Sequence, residues 1–226
     1  MDFNTGTGGA GGSPREPGGP PPSRTSGVAA GAEFRYTDPV QTFISTVRGV
    51  ALQPVNFFRG ILRQGDFINP LIFAIICWEI AAILGGILTV LGSLAGIGVR
   101  TVGESIGAFA VSLITTPIIE AIGAFIGAGI LHLLVILIVR PANTGFETTF
   151  RVVSYSSVSQ LVSWIPVIGP IAGAVISVIL GIFGIRETHG TTTGKAALVV
   201  LIPAAVAFLF VVVVLGAAAF LIFSQR

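Results

Sequence analysis

Long apolar runs separated by short polar loops occupy most of the chain from residue 71 onwards. A transmembrane helix needs about 20 mainly apolar residues, because a bilayer core is about 30 Å thick and a helix rises about 1.5 Å per residue. The runs predict an all-α, polytopic membrane bundle of about five transmembrane helices, over residues 71–95, 118–139, 149–165, 171–185 and 196–223. Pro117 is expected to divide the second run, which leaves residues 105–116 as a helical lead-in or a re-entrant piece.

A different pattern, with apolar positions at helical spacing, precedes the first run. Asp38-Pro39 is typical of a helix start, and Pro54 ends the pattern. One face carries Val40, Phe43, Ile44, Val47, Val50 and Ala51, and the opposite face carries Gln41, Thr42, Ser45, Thr46 and Arg48. This amphipathic pattern predicts a helix that lies in the membrane interface.

A second short apolar face follows, with Phe57 and Phe58 between cationic side chains. Aromatic rings and arginines suit the headgroup boundary, so Phe57, Phe58, Arg59 and Arg63 are candidate lipid contacts. The alternative is that both amphipathic helices pack under the protein's own bundle.

The N-terminal segment is rich in Gly, Pro and Ser. Such a composition cannot bury enough apolar area to offset its chain entropy, so residues 1–33 are predicted to be a disordered cytoplasmic tail. The chain is thereby divided into this tail, the amphipathic helices of residues 34–66 and the transmembrane domain of residues 67–226.

Composition agrees with a membrane protein and excludes several classes of function. Hydrophobic residues make up 53% of the chain and charged residues 10%, with a mean hydropathy of +0.93. The net charge of +2 reflects few charges rather than a basic patch, so nucleic-acid binding is not expected. Cys77 is the single cysteine, which excludes an internal disulfide and a thiolate metal cluster. We expect no metal, no cofactor and no enzymatic activity, and we interpret His189 as a solvated loop side chain.

The cationic residues near the predicted span ends are distributed unequally. With five spans, one side of the membrane collects Arg59, Arg63, Arg140, Arg151, Arg186 and Lys195, and the other collects Arg100 and Arg226. Because positive residues favour the cytoplasmic side, the N-terminus is predicted to be cytoplasmic and the C-terminus outside. In a prokaryote this would be a multi-pass protein of the inner cell membrane.

Two ionisable residues lie within the first two predicted spans. Glu79 and His132 are each about 12 Å from the cytoplasmic end of their span, so they are predicted to pair. An intramembrane carboxylate is expensive and normally faces a bundle interior or a water-filled cavity. The pair is either a structural hydrogen bond between helices or a proton or ion relay.

The third predicted span is unusually polar, with Ser154, Tyr155, Ser157 and Gln160 as its candidate functional residues. These groups either hydrogen-bond between helices or line a substrate path. Glycine pairs at four-residue spacing, Gly92/Gly96, Gly123/Gly127 and Gly169/Gly173, predict close helix packing within the bundle or between copies.

The order of these features resembles the Yip domain family over about residues 40–223. The resemblance is carried by Asn-Phe-Phe-Arg at 56–59, Trp-Ile-Pro-Val-Ile-Gly at 164–169 and Gly-Ile-Arg-Glu-Thr-His at 184–189. It implies a five-span bundle with a cytoplasmic N-terminus. Eukaryotic members are named for interacting with Ypt/Rab small GTPases, but their Asp-Leu-Tyr-Gly-Pro motif is missing here, so the chain is more similar to the bacterial branch. The resemblance implies no catalytic residues.

The leading functional hypothesis is a non-enzymatic membrane organiser or adaptor that binds lipid or protein partners through its tail and interfacial helices. Membrane lipid is the expected partner, together with other membrane proteins or further copies of the chain. The second hypothesis is a small transporter or permease-like protein that uses Glu79, His132 and the polar third span.

Overall fold

The computed structural model describes residues 33–224, so the disorder predicted for residues 1–32 lies outside the described residues. Seven α-helices follow one another: α1 (Pro39–Leu52), α2 (Pro54–Gly60), α3 (Ile68–Leu94), α4 (Val102–Leu134), α5 (Phe146–Ser156), α6 (Ile168–Thr188) and α7 (Thr193–Ser224). A π-helical segment (Val135–Val139) and a 3-10 turn (Arg140–Ala142) extend α4, and a second 3-10 segment (Ser157–Val162) extends α5. The predicted all-α bundle is confirmed.

Four helical segments are long and apolar enough to cross a membrane among the described residues: Ile68–Leu94, Val102–Ala142, Ile168–Thr188 and Thr193–Ala217. The predicted break at Pro117 is wrong, because α4 continues through that proline from Val102 to Leu134. A capping box starts α4, in which Thr101 and Glu104 satisfy each other's free backbone amides. Residues 105–116 are therefore a helical lead-in rather than a re-entrant piece.

The predicted third span differs from the other four. Most of residues 149–165 belong to α5, which has 11 residues, and to the 3-10 segment, which has six. Neither part meets the length and composition of a membrane-crossing helix. Because a 3-10 helix rises about 2.0 Å per residue, the two parts together extend about 28 Å. They run beside α3, from the loop before α3 to Gly85, which lies against Trp164. This segment is buried by its neighbours rather than exposed to lipid.

An aromatic cluster fastens the N-terminal helices to the bundle. The ring of Tyr155 lies 5.2 Å from that of Phe57 and 5.3 Å from that of Phe73, which in turn is 5.9 Å from Phe34. Phe57 and Phe58 are only 3% and 1% exposed. The prediction that these two side chains contact lipid is therefore wrong, since burying them among other rings gains more apolar contact than the membrane interface offers. Phe57 and Phe58 instead pack under the bundle, which is the alternative expected for both amphipathic helices, whereas Val40 and Ile44 of α1 stay exposed.

Helix α1 has three distinct faces. Thr42, Thr46 and Val50 repeat every four residues and are buried against the bundle, although both threonines belong to the face predicted to be polar. Val40 and Ile44 lie on a neighbouring side and are exposed. The remaining face carries the polar side chains Gln41, Ser45 and Arg48.

The close approach predicted at one glycine pair is confirmed. A side chain at Gly169 would overlap the backbone carbonyls of Val162 and Ser163, and one at Gly173 would press on the carbonyl of Ser159. These glycines let α6 pack directly on the 3-10 segment. Gly123 and Gly127, in contrast, face open space.

Helix ends and the loops next to them meet at one end of the bundle. Arg59 pairs with Glu187 at 2.9 Å, and the Thr148 hydroxyl donates to the Arg63 carbonyl at 2.8 Å. The Thr144 amide donates to His189 at 3.1 Å. We call this region the cationic end; it brings together Arg59, Arg63, Arg140, Arg186 and Lys195, which the sequence analysis placed on one side of the membrane.

Candidate functional site

Helix α5 carries polar side chains on nearly every side, and almost all of them are buried. A buried polar group without a partner is costly, so its neighbours must supply donors and acceptors. They do so in two clusters at the cationic end. The first, the histidine chain, contains Thr149 with His132, His189 and Thr144. The second, the arginine cluster, contains Arg151 and Tyr155 with Glu33, Asp66 and Leu62.

The histidine chain runs through a single hydroxyl. Thr149 Oγ1 lies 3.0 Å from His132 Nδ1 on α4 and 3.1 Å from His189 Nε2, just after α6. On its other side, His189 Nδ1 lies 3.1 Å from the Thr144 amide nitrogen and 2.9 Å from the Thr144 hydroxyl. Four side chains from four parts of the chain therefore form one continuous hydrogen-bonded row.

The backbone amide of Thr144 fixes the direction of this row. An amide N–H can only donate, so His189 Nδ1 must accept, and the proton of a neutral His189 must sit on Nε2. That N–H donates to Thr149, whose own hydroxyl hydrogen is then free to donate to His132 Nδ1. A proton relay along this row would require each histidine to exchange its proton between the two ring nitrogens. The Thr144 amide opposes this exchange at His189, because a proton on Nδ1 would face the amide N–H.

His189 is held in its neutral form. Its side chain is 1% exposed, and burial lowers its pKa from 6.5 to about 4, with His132 and Arg63 contributing in the same direction. The interpretation of His189 as a solvated loop side chain is therefore wrong. The loop that carries it folds back over α5, which places the ring inside the protein.

The arginine cluster is built around a buried cation. Arg151 is 2% exposed and forms an ion pair with Glu33 through its Nη1, while its Nη2 donates to the Asp66 carbonyl at 2.9 Å. The Tyr155 hydroxyl and the Leu62 amide also donate to the Glu33 carboxylate, at 2.8 Å and 2.6 Å. One carboxylate thus receives three donors, and its partner cation is removed from water.

The neighbouring acid group, Asp66, is satisfied elsewhere. The Asn69 amide donates to its side chain at 2.8 Å, and this bond is the largest of the effects that hold the Asp66 pKa below its ordinary value. The positive charge of Arg151 acts in the same direction. Asp66 therefore caps the start of α3 and leaves Glu33 as the carboxylate that faces Arg151.

The structure does not join Glu79 to His132. The hydrogen bond of His132 goes to Thr149, and Glu79 Oε1 is buried without a hydrogen-bond partner. Glu79 lies two residues beyond the fully buried Cys77, about 200° further round α3, on a side of the helix that is half-buried. The predicted depth does not bring the two groups together, because depth does not fix the rotation of a helix.

The other residues chosen from the polar third span lie inside the protein to different degrees. Tyr155 belongs to the arginine cluster, and Ser157 interacts with Glu120 of α4. Ser154 is fully buried and its hydroxyl has no partner, whereas Gln160 is half-buried. The hydroxyl of Ser159 is likewise buried and unpartnered.

Sequence reasoning missed the residues that build both clusters. Arg151 lies two residues inside a predicted span, and a charge at such a position is a signal of function, but the sequence analysis uses it only as one of the cationic residues near the span ends. Glu33 was assigned to the tail. Thr144 and Thr149 carry no recognisable signal, because their role depends on partners that are distant in the chain. Among residues 33–224, no group of three or more His, Cys, Asp and Glu side chains could hold a metal ion.

Helices of membrane-crossing length around a buried polar segment define a multi-pass integral membrane protein. The sequence model that describes the Yip1 domain family matches residues 48–215. The chain therefore belongs to the Yip1 domain family, as its resemblance predicted. Comparisons with curated proteins and with solved structures found no match.

Proposed function

We propose that this protein is a non-enzymatic membrane organiser, which holds lipids and protein partners at the cationic end through α1 and the N-terminal tail. The observation that carries the proposal is the three-faced surface of α1. Its buried face fixes it to the bundle, and Val40 and Ile44 form an apolar stripe that no other part of the described chain covers. A helix with an apolar stripe beside a polar, cationic face is typical of the membrane interface.

The tail leaves the bundle close to this surface. Residues 1–32 precede Glu33 and Phe34, whose side chains are fixed in the arginine cluster and the aromatic cluster. A partner that binds the tail is therefore held near the membrane surface. It can also act on α1, because Phe34 lies five residues before that helix begins.

We place the N-terminus and the cationic end in the cytoplasm. The support is the six-to-two distribution of Lys and Arg, together with the contacts that bring Arg59, Arg63, Arg151 and Arg186 to one end of the bundle. A reporter fused after Arg226 should be active only outside the cytoplasm. A cytoplasmic reporter at that position, with one at the N-terminus also cytoplasmic, would reject this orientation.

The placement of α1 can be tested with single spin labels in vesicles. Cys77 is first replaced by Ala, and a label is then attached at Ile44→Cys or, as the matched control on the polar face, at Arg48→Cys. We expect the label at 44 to be accessible to oxygen, which concentrates in lipid, and the label at 48 to be accessible to a water-soluble relaxation agent. Equal exposure of both labels to the aqueous agent would contradict the proposal.

The adaptor role requires a second measurement. Membranes that contain the full chain or a chain without residues 1–32 are cross-linked, and captured proteins are compared. We expect a reproducible set of partners that is lost with the tail. If both forms capture the same proteins, or if neither captures any, the adaptor function is contradicted. The contact of α1 with lipid would still be decided by the spin-label experiment.

A small transporter remains the second candidate. It is favoured by the histidine chain, by the unpartnered oxygen of Glu79 and by a cavity of about 930 Å³ between α3, α4 and the turn at Trp164. We propose that Glu79 and His132 would then serve as separate proton or ion sites rather than as a pair. Glu79→Gln should abolish flux into vesicles, whereas Glu147→Gln, which removes a carboxylate at the cationic end, should leave it unchanged. Unchanged flux in both variants would reject this candidate.

A further inference from the structure

The carboxylate of Glu33 occupies a site that is built for an oxyanion. Its two oxygens receive the Leu62 amide, the Tyr155 hydroxyl and the guanidinium of Arg151. These are a backbone N–H, a phenol and a cation, which together resemble the donor sets that proteins use to bind carboxylates and phosphates. All three donors belong to the folded bundle, whereas the acceptor comes from the segment that precedes α1.

The site has donor capacity that Glu33 does not use. Arg151 Nη1 carries two N–H groups, and its bond to Glu33 uses one of them. A guanidinium presents its donors in a fixed plane, and a carboxylate supplies two oxygens while a phosphate supplies more. Because an unpartnered buried donor is unfavourable, an anion with an additional oxygen would satisfy the site better than Glu33 does.

The present occupant is attached by few contacts. We call residues 33–38 the strap. Besides Glu33, it is held by the buried ring of Phe34, by the Tyr36 amide, which donates to Asn69, and by bonds to Thr42 of α1. The Arg35 amide donates to the Thr42 hydroxyl, and the carbonyls of Arg35 and Asp38 accept from Thr42. The strap precedes the first helix and has no ladder of backbone hydrogen bonds with the bundle. Release of Phe34 would therefore free the Glu33 carboxylate without unfolding any helix.

We propose that Arg151, Tyr155 and the Leu62 amide form a phosphate-binding site, and that Glu33 is an internal competitor that fills it when the strap is docked. Withdrawal of the strap opens the site, and a bound phosphate prevents the strap from docking again. The phosphate belongs either to a lipid headgroup or to a free phosphate ion. The lipid source rests on the proposed position of α1 at the membrane surface, whereas the site itself does not.

The test uses the purified full chain, in detergent for free phosphate and in vesicles of phosphatidylcholine with phosphatidic acid for the lipid. Retention of phosphatidic acid is measured by mass spectrometry after delipidation. Glu33→Gln should raise retention about tenfold, which corresponds to about 1.4 kcal/mol of lost competition. Glu147→Gln is the matched control, because Glu147 is also a carboxylate at the cationic end and accepts the Gly65 amide instead of Arg151. It should leave retention unchanged.

Two further variants keep the test decisive. Phe34→Ala retains the Glu33 carboxylate but loosens the strap, so it should also raise retention. Glu33→Gln combined with Arg151→Gln should bring retention back to that of the unmodified chain. An equal rise in Glu33→Gln and Glu147→Gln would show a non-specific effect of charge and overturn the proposal, as would no rise in either Glu33→Gln or Phe34→Ala.

The source of the phosphate follows from competition. If millimolar inorganic phosphate displaces phosphatidic acid from Glu33→Gln in detergent, the site accepts the free ion. If phosphatidic acid is retained at that concentration, the lipid headgroup is the ligand. The two proposals can fail separately. If the protein binds phosphate in detergent but the spin label at position 44 is accessible to the water-soluble agent, the phosphate site is supported and the membrane contact of α1 is rejected.

Discussion

Thr149 Oγ1 lies 3.1 Å from His189 Nε2, although the two residues are 40 positions apart in the chain. The same hydroxyl lies 3.0 Å from His132 Nδ1, so one side chain connects α4, α5 and the loop that follows α6. Since a hydroxyl can donate and accept at once, Thr149 satisfies both rings. The histidine chain is therefore a structural tie between these three parts of the fold.

Removing this hydroxyl should destabilise the protein more than its size suggests. Thr149→Val keeps the shape of the side chain but leaves His189 Nε2–H and His132 Nδ1 without partners, at about 1–3 kcal/mol for each unsatisfied group. Thr115→Val is the matched control, because Thr115 is half-buried and bonds only to the Val111 carbonyl of its own helix. Thermal unfolding in detergent micelles should show a clear loss for position 149 and almost none for 115. Equal stability of the two variants would mean that the hydrogen bonds of the histidine chain do not stabilise the folded protein.

The buried His189 predicts how stability depends on pH. Because its pKa in the folded protein is lowered from 6.5 to about 4, the unfolded chain binds more protons between these values. Its contribution to stability is complete above pH 6.5 and is lost as the pH falls toward 4. Melting temperatures at about pH 7 and about pH 4.5 should therefore fall further apart in the unmodified protein than in His189→Asn, which keeps an acceptor for the Thr144 amide. Carboxylates titrate in both proteins. If the melting temperature changes equally with pH in both, His189 is not the cause of the pH dependence.

Much of the fold could be predicted from the sequence, because membrane-crossing length and apolar composition are local properties. Helices α3, α6 and α7 begin and end within a few residues of the predicted runs. Helix α1 begins and ends where predicted, although it buries Thr42 and Thr46 of its predicted polar face. The predicted boundaries were wrong where the surrounding structure outweighed a local sequence signal. Pro117 removes one backbone hydrogen bond, yet α4 continues, since the neighbouring turns of a long membrane helix hold the chain on both sides.

The candidate site could be predicted less well, because it depends on helix rotation and on partners far apart in the chain. Glu79 and His132 lie at similar depths, but they face different neighbours. Arg151 and Glu33 are 118 residues apart, and no periodicity connects them. A charged residue inside a predicted span was the one local signal that pointed to the arginine cluster.

Burial of Phe58 separates a core role from a lipid-contacting role. Phe58→Ala should destabilise the protein by about 3–5 kcal/mol, because it removes a buried ring and leaves a cavity. Phe208→Ala, in an exposed part of α7, should have a much smaller effect. The measurement is unfolding of both variants in the same detergent, followed by loss of helical circular dichroism. Similar losses for both would indicate that Phe58 contacts lipid or detergent, as the sequence pattern first predicted.

The close approach of α5 and α6 predicts opposite outcomes for the same change at two glycines. A methyl group at Gly184 would overlap the Val152 side chain, which is short and fully buried and so cannot move aside. Gly184→Ala should therefore destabilise the protein by about 1–3 kcal/mol through overpacking. Gly107 lies within α4 and faces open space, so Gly107→Ala should be neutral or stabilising by up to about 1 kcal/mol through the better helix propensity of alanine. Unfolding curves of the two variants decide the matter. If Gly184→Ala matched Gly107→Ala in stability, α6 could not be packed on α5 as closely as their backbones are placed.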